Sequence, residues 1–76
     1  MPPTPTKAFG KALREVRLER DLSQEEAALA CGIDRAYFGQ LERSLKSPTL
    51  KTVWRLAEGL DVTPSQLVAR AEELLG

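Results

Sequence analysis

Residues 23–43, SQEEAALACGIDRAYFGQLER, constrain the fold more than any other stretch: they read as a helix, a glycine turn and a second helix. Ser23 followed by Glu26 is a capping box, in which each side chain satisfies a free backbone N–H of the other residue. Gly32 stands where the first helix must exit through a left-handed residue, which glycine adopts without a Cβ clash. Asp34 then caps the next helix and places a carboxylate at its positive end. A connection of about three residues suits two helices that cross steeply, as in a helix-turn-helix. The second helix of such a unit can be offered to the major groove of DNA.

The remainder of the chain extends this unit to five helices. Residues 1–5 (MPPTP) are proline-rich and read as a loose arm, with the domain covering 6–76. A helix is expected from about Thr6 to Arg20, with Phe9, Leu13 and Val16 on one face. The second and third helices cover roughly 24–31 and 34–43. The loop SLKSP (44–48) ends that unit, because Pro48 disfavours a helical Ser47. A fourth helix follows Thr49, with Leu50, Val53, Ala57 and Leu60 as its inward stripe. The fifth opens on Thr63-Pro64-Ser65-Gln66, a second capping box with proline at the first helical position. It runs to about Leu75 and buries Leu67, Ala71 and Leu74. No strand pattern occurs. The expected fold class is all-α, a compact five-helix domain. With 76 residues, it lies near the lower limit for a self-supporting apolar core.

Composition excludes several classes of function. The chain has one cysteine and no histidine, so no internal disulfide can form, and neither a metal site nor a cofactor is expected. No nucleophile–base pair, histidine-based acid–base group or phosphate loop is present, so an enzyme is not expected. Cys31 reads as a small core residue; a redox role would need an exposed thiol with a depressed pKa. No stretch has the length of a membrane span, the start MPPTPTK lacks a signal peptide's apolar run, and the cysteine usage fits a reducing cytoplasm.

Net charge is zero, but its distribution is uneven. Residues 31–55 carry Arg35, Arg43, Lys46, Lys51 and Arg55 against Asp34 and Glu42, a net +3, and residues 56–76 carry a net −3. A basic face around 35–55 suits nucleic acid, and ordinary solvated helix surfaces are the lesser alternative on charge alone.

The wheel of 34–43 assigns two faces to the third helix. Phe38 and Leu41 define the inward side, with Ile33 and Leu45 at its ends. Ala36, Gln40 and Arg43 lie opposite, with Arg35 and Gly39 on one flank and Tyr37 on the other. Arginine hydrogen-bonds bidentately to guanine, and glutamine to adenine. Ala36 and Gly39 would let the backbone approach base edges, and Ala36 suits a thymine methyl. Arg35, Ala36, Tyr37, Gly39 and Gln40 are therefore the candidate base contacts. Drift at a tolerant surface site is the alternative for Gly39, and packing against a neighbouring helix the alternative for Tyr37. Gln24, Arg43, Ser44, Lys46 and Lys51 are the candidate phosphate contacts, which would fix register without reading sequence.

The stretches LREVR (13–17), LSQEEAA (22–28), CGIDRAYFGQLER (31–43), SPTLKTVWRLAEGL (47–60) and VTPSQL (62–67) resemble the phage-repressor-like (Cro/CI-type, XRE) helix-turn-helix family. Within it, IDRAYFGQLER looks most like the controller proteins of restriction–modification systems. The resemblance implies a lambda-repressor-like fold with the helix-turn-helix at helices two and three. It places a phosphate-binding glutamine on Gln24 and base-reading positions on Arg35, Ala36, Tyr37 and Gln40. It also implies a structural ion pair between Arg17 and Glu42. Three positions depart from the family pattern: Ser44 replaces glycine, Ala27 a bulkier apolar residue, and Gly59 alanine.

Relatives of this kind bind near-palindromic DNA as two-fold dimers, so a homodimer is expected, with helix five the main interface. Trp54, Leu60, Val68 and Leu75 are its candidate residues, and Leu18 lies opposite the inward face of helix one; the alternative is that all but Leu18 are simply core, which any one of them taken singly fits better. The resulting expectation is a sequence-specific transcriptional regulator of double-stranded DNA, with no membrane or metal partner. Two other readings stay open: an antitoxin-type DNA-binding protein with a toxin partner, and a protein-binding adaptor built on the same fold.

Overall fold

The structure, a computed structural model, describes residues 4–76. Five helices follow in order: α1 (Pro5–Glu19), α2 (Gln24–Cys31), α3 (Arg35–Glu42), α4 (Leu50–Gly59) and α5 (Pro64–Leu75). Among the described residues there is no strand. Among the described residues, no helix is long and apolar enough to cross a membrane.

Each helix start has a chemical cause. Ser23 Oγ accepts from the Glu26 N–H at 3.0 Å, and the Glu26 carboxylate accepts from the Ser23 N–H at 2.9 Å. Thr63 and Gln66 repeat that box in α5. One carboxylate oxygen of Asp34 accepts from the Ala36 and Tyr37 N–H groups, and Thr49 Oγ1 accepts from Thr52. At α1 the cap is Thr4, with Pro5 in the first turn, so helix begins one residue before the expected Thr6. Of the expected arm, residues 1–3 lie outside the described residues. Gly32 closes α2 at φ +67°, the left-handed exit its position demands.

Packing places α5 alongside α1, while α2 sits against α3 and α4, and α3 also touches α1. Phe38, Leu13, Leu41, Leu56, Leu60 and Leu67 are the largest fully buried side chains. Each contributes roughly 1.5–3 kcal/mol by leaving water. Together they hold α3 from behind and leave its other side open.

Three positions differ from expectation. Leu60, expected both on the inward stripe of helix four and at the dimer interface, is 1% exposed and belongs to the core, as the stripe requires and the interface does not. It follows the last turn of α4 and continues the stripe formed by Val53, Leu56 and Ala57. Leu50, expected on that stripe, is exposed because it opens the helix beyond the reach of the core. Leu45 is also exposed, because Ser44 turns the chain away at φ +62°.

Candidate nucleic-acid interface

The open side of α3 carries Arg35 and Ala36 fully exposed, with Gln40 half-buried between them and the loop. Arg43 and Lys46 are exposed in the segment after the helix, and Lys51 is exposed in the first turn of α4. Of these, Arg35, Ala36 and Arg43 line one cleft. Arg35 makes no hydrogen bond or ion pair among the described residues, so its guanidinium donors face solvent. Tyr37 is half-buried and its ring packs against the core.

Gly39 is buried at the edge of this face, with Gln24 Oε1 and Arg43 Nη2 3.7 and 3.9 Å from where a Cβ would stand. Arg43 Nε donates to the Gly39 carbonyl at 3.2 Å, which folds that guanidinium back along α3. Gln24, Arg35, Ala36, Gly39 and Arg43 together line a cleft of about 420 Å³ on this face. Ser44, half-buried with its left-handed backbone, lies against α1 at Gly10.

Behind the open face, α3 is anchored to α1 and α2 by one carboxylate. Arg17 donates to Glu42 through Nε at 2.5 Å and Nη2 at 3.1 Å, a bidentate pair with side chains only 10% and 3% exposed. The third donor direction of Arg17 goes to the Leu22 carbonyl at 2.9 Å. Gln24 Nε2 adds a bond to Glu42 at 2.9 Å. No buried side-chain polar atom in the described residues is left without a partner. Sequence reasoning missed the Gln24 bond; its only signal was that a buried carboxylate at Glu42 has more lone pairs than one arginine fills. A carboxamide nitrogen carries two hydrogens, so Gln24 keeps one donor for a ligand.

Away from this face, Cys31 is buried, its Sγ 3.6 Å from the Leu56 carbonyl, and burial pushes its thiol up to about 11. A thiol so protonated at neutral pH is a packing group. Val68 and Leu75 are half-exposed on α5, beside a groove that also includes Phe9, Pro48 and Ala71. Trp54 projects from α4 next to Leu50.

Residues 13–67 match the family model HTH_3, helix-turn-helix. The HTH-type transcriptional regulator SutR of Escherichia coli (strain K12) is 39% identical over 57 residues, 75% of this chain and 32% of SutR. The cryptic phage CTXphi transcriptional repressor RstR of Vibrio cholerae is 38% identical over 64 residues, 84% of this chain and 58% of RstR. The chain therefore spans about a third and somewhat over half the length of these two relatives. Among solved structures, the restriction-modification controller protein C.AhdI from Aeromonas hydrophila aligns with a TM-score of 0.79 at 40% identity. That alignment covers 82% of this chain and 94% of C.AhdI.

Proposed function

This chain belongs to the helix-turn-helix family HTH_3, and from that premise we propose that it is a sequence-specific transcriptional regulator that binds double-stranded DNA. The observation that carries the proposal is the row on α3 where Arg35 and Ala36 are exposed and Gln40 half-buried, on a helix pinned by the Arg17–Glu42 pair. A rigid helix with an unpaired guanidinium and an amide at groove-facing positions suits guanine and adenine edges. Tyr37 lies at the edge of the same row, with its ring held by the core. Gln24, Arg43, Ser44, Lys46 and Lys51 are assigned to backbone phosphates, which set register.

One recognition helix covers too few base pairs for high specificity, so the acting species is a homodimer on a near-palindromic operator. Trp54, Val68 and Leu75 are apolar, exposed and available for that interface. Similarity to C.AhdI supports a regulator of the restriction–modification controller type. Such work takes place in the cytoplasm, where the DNA lies.

Two substitutions test the assignment on duplexes of defined sequence over a salt series. Arg35→Ala is expected to weaken binding by about 1–3 kcal/mol and to relax preference at one guanine. Lys46→Ala should weaken all sequences alike and flatten the salt dependence by about one unit of slope. If neither substitution changed binding to any duplex, α3 would not be the reading helix.

A further inference from the structure

Five glycines occur in this chain, and four have a reason inside the molecule. Gly32 and Gly76 have φ of +67° and +85°. A Cβ on Gly10 would lie 2.5 Å from Ser44 Oγ and 2.8 Å from the Glu42 carbonyl oxygen, and one on Gly59 would lie 2.6 Å from the Cys31 Cα. Gly39 is unlike these. Its φ is not positive, and the nearest atoms to an added Cβ would be Gln24 Oε1 at 3.7 Å and Arg43 Nη2 at 3.9 Å, ordinary van der Waals contact. A methyl group fits there, and alanine is the better helix former in a helix interior. Nothing within the protein requires glycine at this position.

What a methyl group at Gly39 would fill is the floor of the cleft lined by Gln24, Arg35, Ala36 and Arg43. It is lined by Arg35 and Arg43, while Gln24 turns its carboxamide oxygen toward the missing Cβ at 3.7 Å, so an anion in the cleft is held from the arginine side. The bond from Arg43 Nε to the Gly39 carbonyl uses one donor of that side chain, and its Nη groups make no hydrogen bond among the described residues. The cleft sits on the flank of α3 toward Gln24 of α2, to one side of the outward row of Ala36 and Gln40.

We propose that Gly39 is a positioning residue for DNA: its missing side chain admits a backbone phosphate of the duplex against Arg43, leaving Arg35 to its base edge. That phosphate fixes how deeply α3 seats in the groove. The inference rests on the reading of α3 as the DNA-facing helix. It separates the glycine from the residues that read bases, because a phosphate seat serves every sequence.

The test compares Gly39→Ala with wild type by thermal melting and by fluorescence anisotropy on an operator duplex and an unrelated duplex, over a salt series. Gly39→Ala is expected to melt no lower than wild type, to bind both duplexes about tenfold more weakly, and to show a shallower salt dependence. A variant that melts at or above wild type and binds both duplexes as tightly would overturn the proposal. Lower melting would show that the site has no room for a methyl group, which removes its premise. Loss confined to one base pair would put a base edge in the cleft and overturn the phosphate assignment. If wild type bound no duplex at all, the DNA-binding reading would fail and this inference with it, an outcome distinct from an unaffected Gly39→Ala.

Discussion

Replacing Glu42 by leucine removes the carboxylate that ties three helices together. Glu42 accepts two bonds from Arg17 and one from Gln24, with its own side chain 3% exposed and that of Arg17 10% exposed. Without it, the Arg17 guanidinium stays buried with only the Leu22 carbonyl as partner. Leaving one member of a buried pair uncompensated costs about 3–5 kcal/mol. A domain of this size is stable by roughly 4–11 kcal/mol in total, so Glu42→Leu should remove a large share of it. Arg17→Met alone should cost a similar amount, because the carboxylate then keeps Gln24 as its only donor. The double variant Arg17→Met/Glu42→Leu buries no charge, and replacing such a pair by apolar residues is often neutral or better. It should therefore lie within about 1 kcal/mol of wild type, giving a coupling energy of several kcal/mol. Urea unfolding followed by far-UV circular dichroism measures all four proteins, with an unchanged slope confirming the same transition. Single variants that each cost under about 1 kcal/mol and add in the double would refute the argument, since an exposed pair behaves that way.

Three further outcomes follow from the packing. Gly10→Ala should lower the melting temperature clearly, because its Cβ would meet Ser44 Oγ at 2.5 Å and two α3 carbonyl oxygens at 2.8 and 2.9 Å, which only movement of α3 relieves. Burial raises the Cys31 thiol from 9.0 to about 11, so its contribution is complete below pH 9 and is lost as pH rises toward 11. Urea midpoints should thus fall more steeply over that range in wild type than in Cys31→Ala, and parallel curves would contradict this. Val68→Glu should convert a dimer to a monomer in sedimentation at tens of micromolar without lowering the melting temperature of the monomer, because Val68 is 50% exposed. A wild type that is itself monomeric there would count against the dimer.

Much of the fold was legible because its signals are local. Ser23–Glu26, Asp34, Thr49 and Thr63–Gln66 each satisfy N–H groups within three residues, so their effect needs no knowledge of the tertiary structure. The inward face of α3 followed from periodicity alone, with Phe38 and Leu41 buried. Periodicity failed where two stripes fit one helix: on α4 the set starting at Leu50 and the set containing Leu56 are both helical in spacing. Only the position of α2 and α5 decides that Leu56 is fully buried and Leu50 is not. Leu60 fits both the inward stripe, which its burial bears out, and a surplus apolar surface, since the volume of a core cannot be summed from a list of spacings. At the candidate site, the exposed row of Arg35 and Ala36 was visible in the wheel. The covering of Gly39 was not, because it depends on where two long side chains from α2 and the end of α3 come to rest.

Selection of bound duplexes from a random library by the full chain tests the central claim most directly, because it reads sequence preference and symmetry together. The account predicts enriched duplexes with two related half-sites in inverted orientation, their centres about 34–36 Å apart or a multiple of that, each with a conserved guanine lost in a parallel selection with Arg35→Ala. No enrichment over the starting library, or an enriched sequence unchanged by Arg35→Ala, would contradict it.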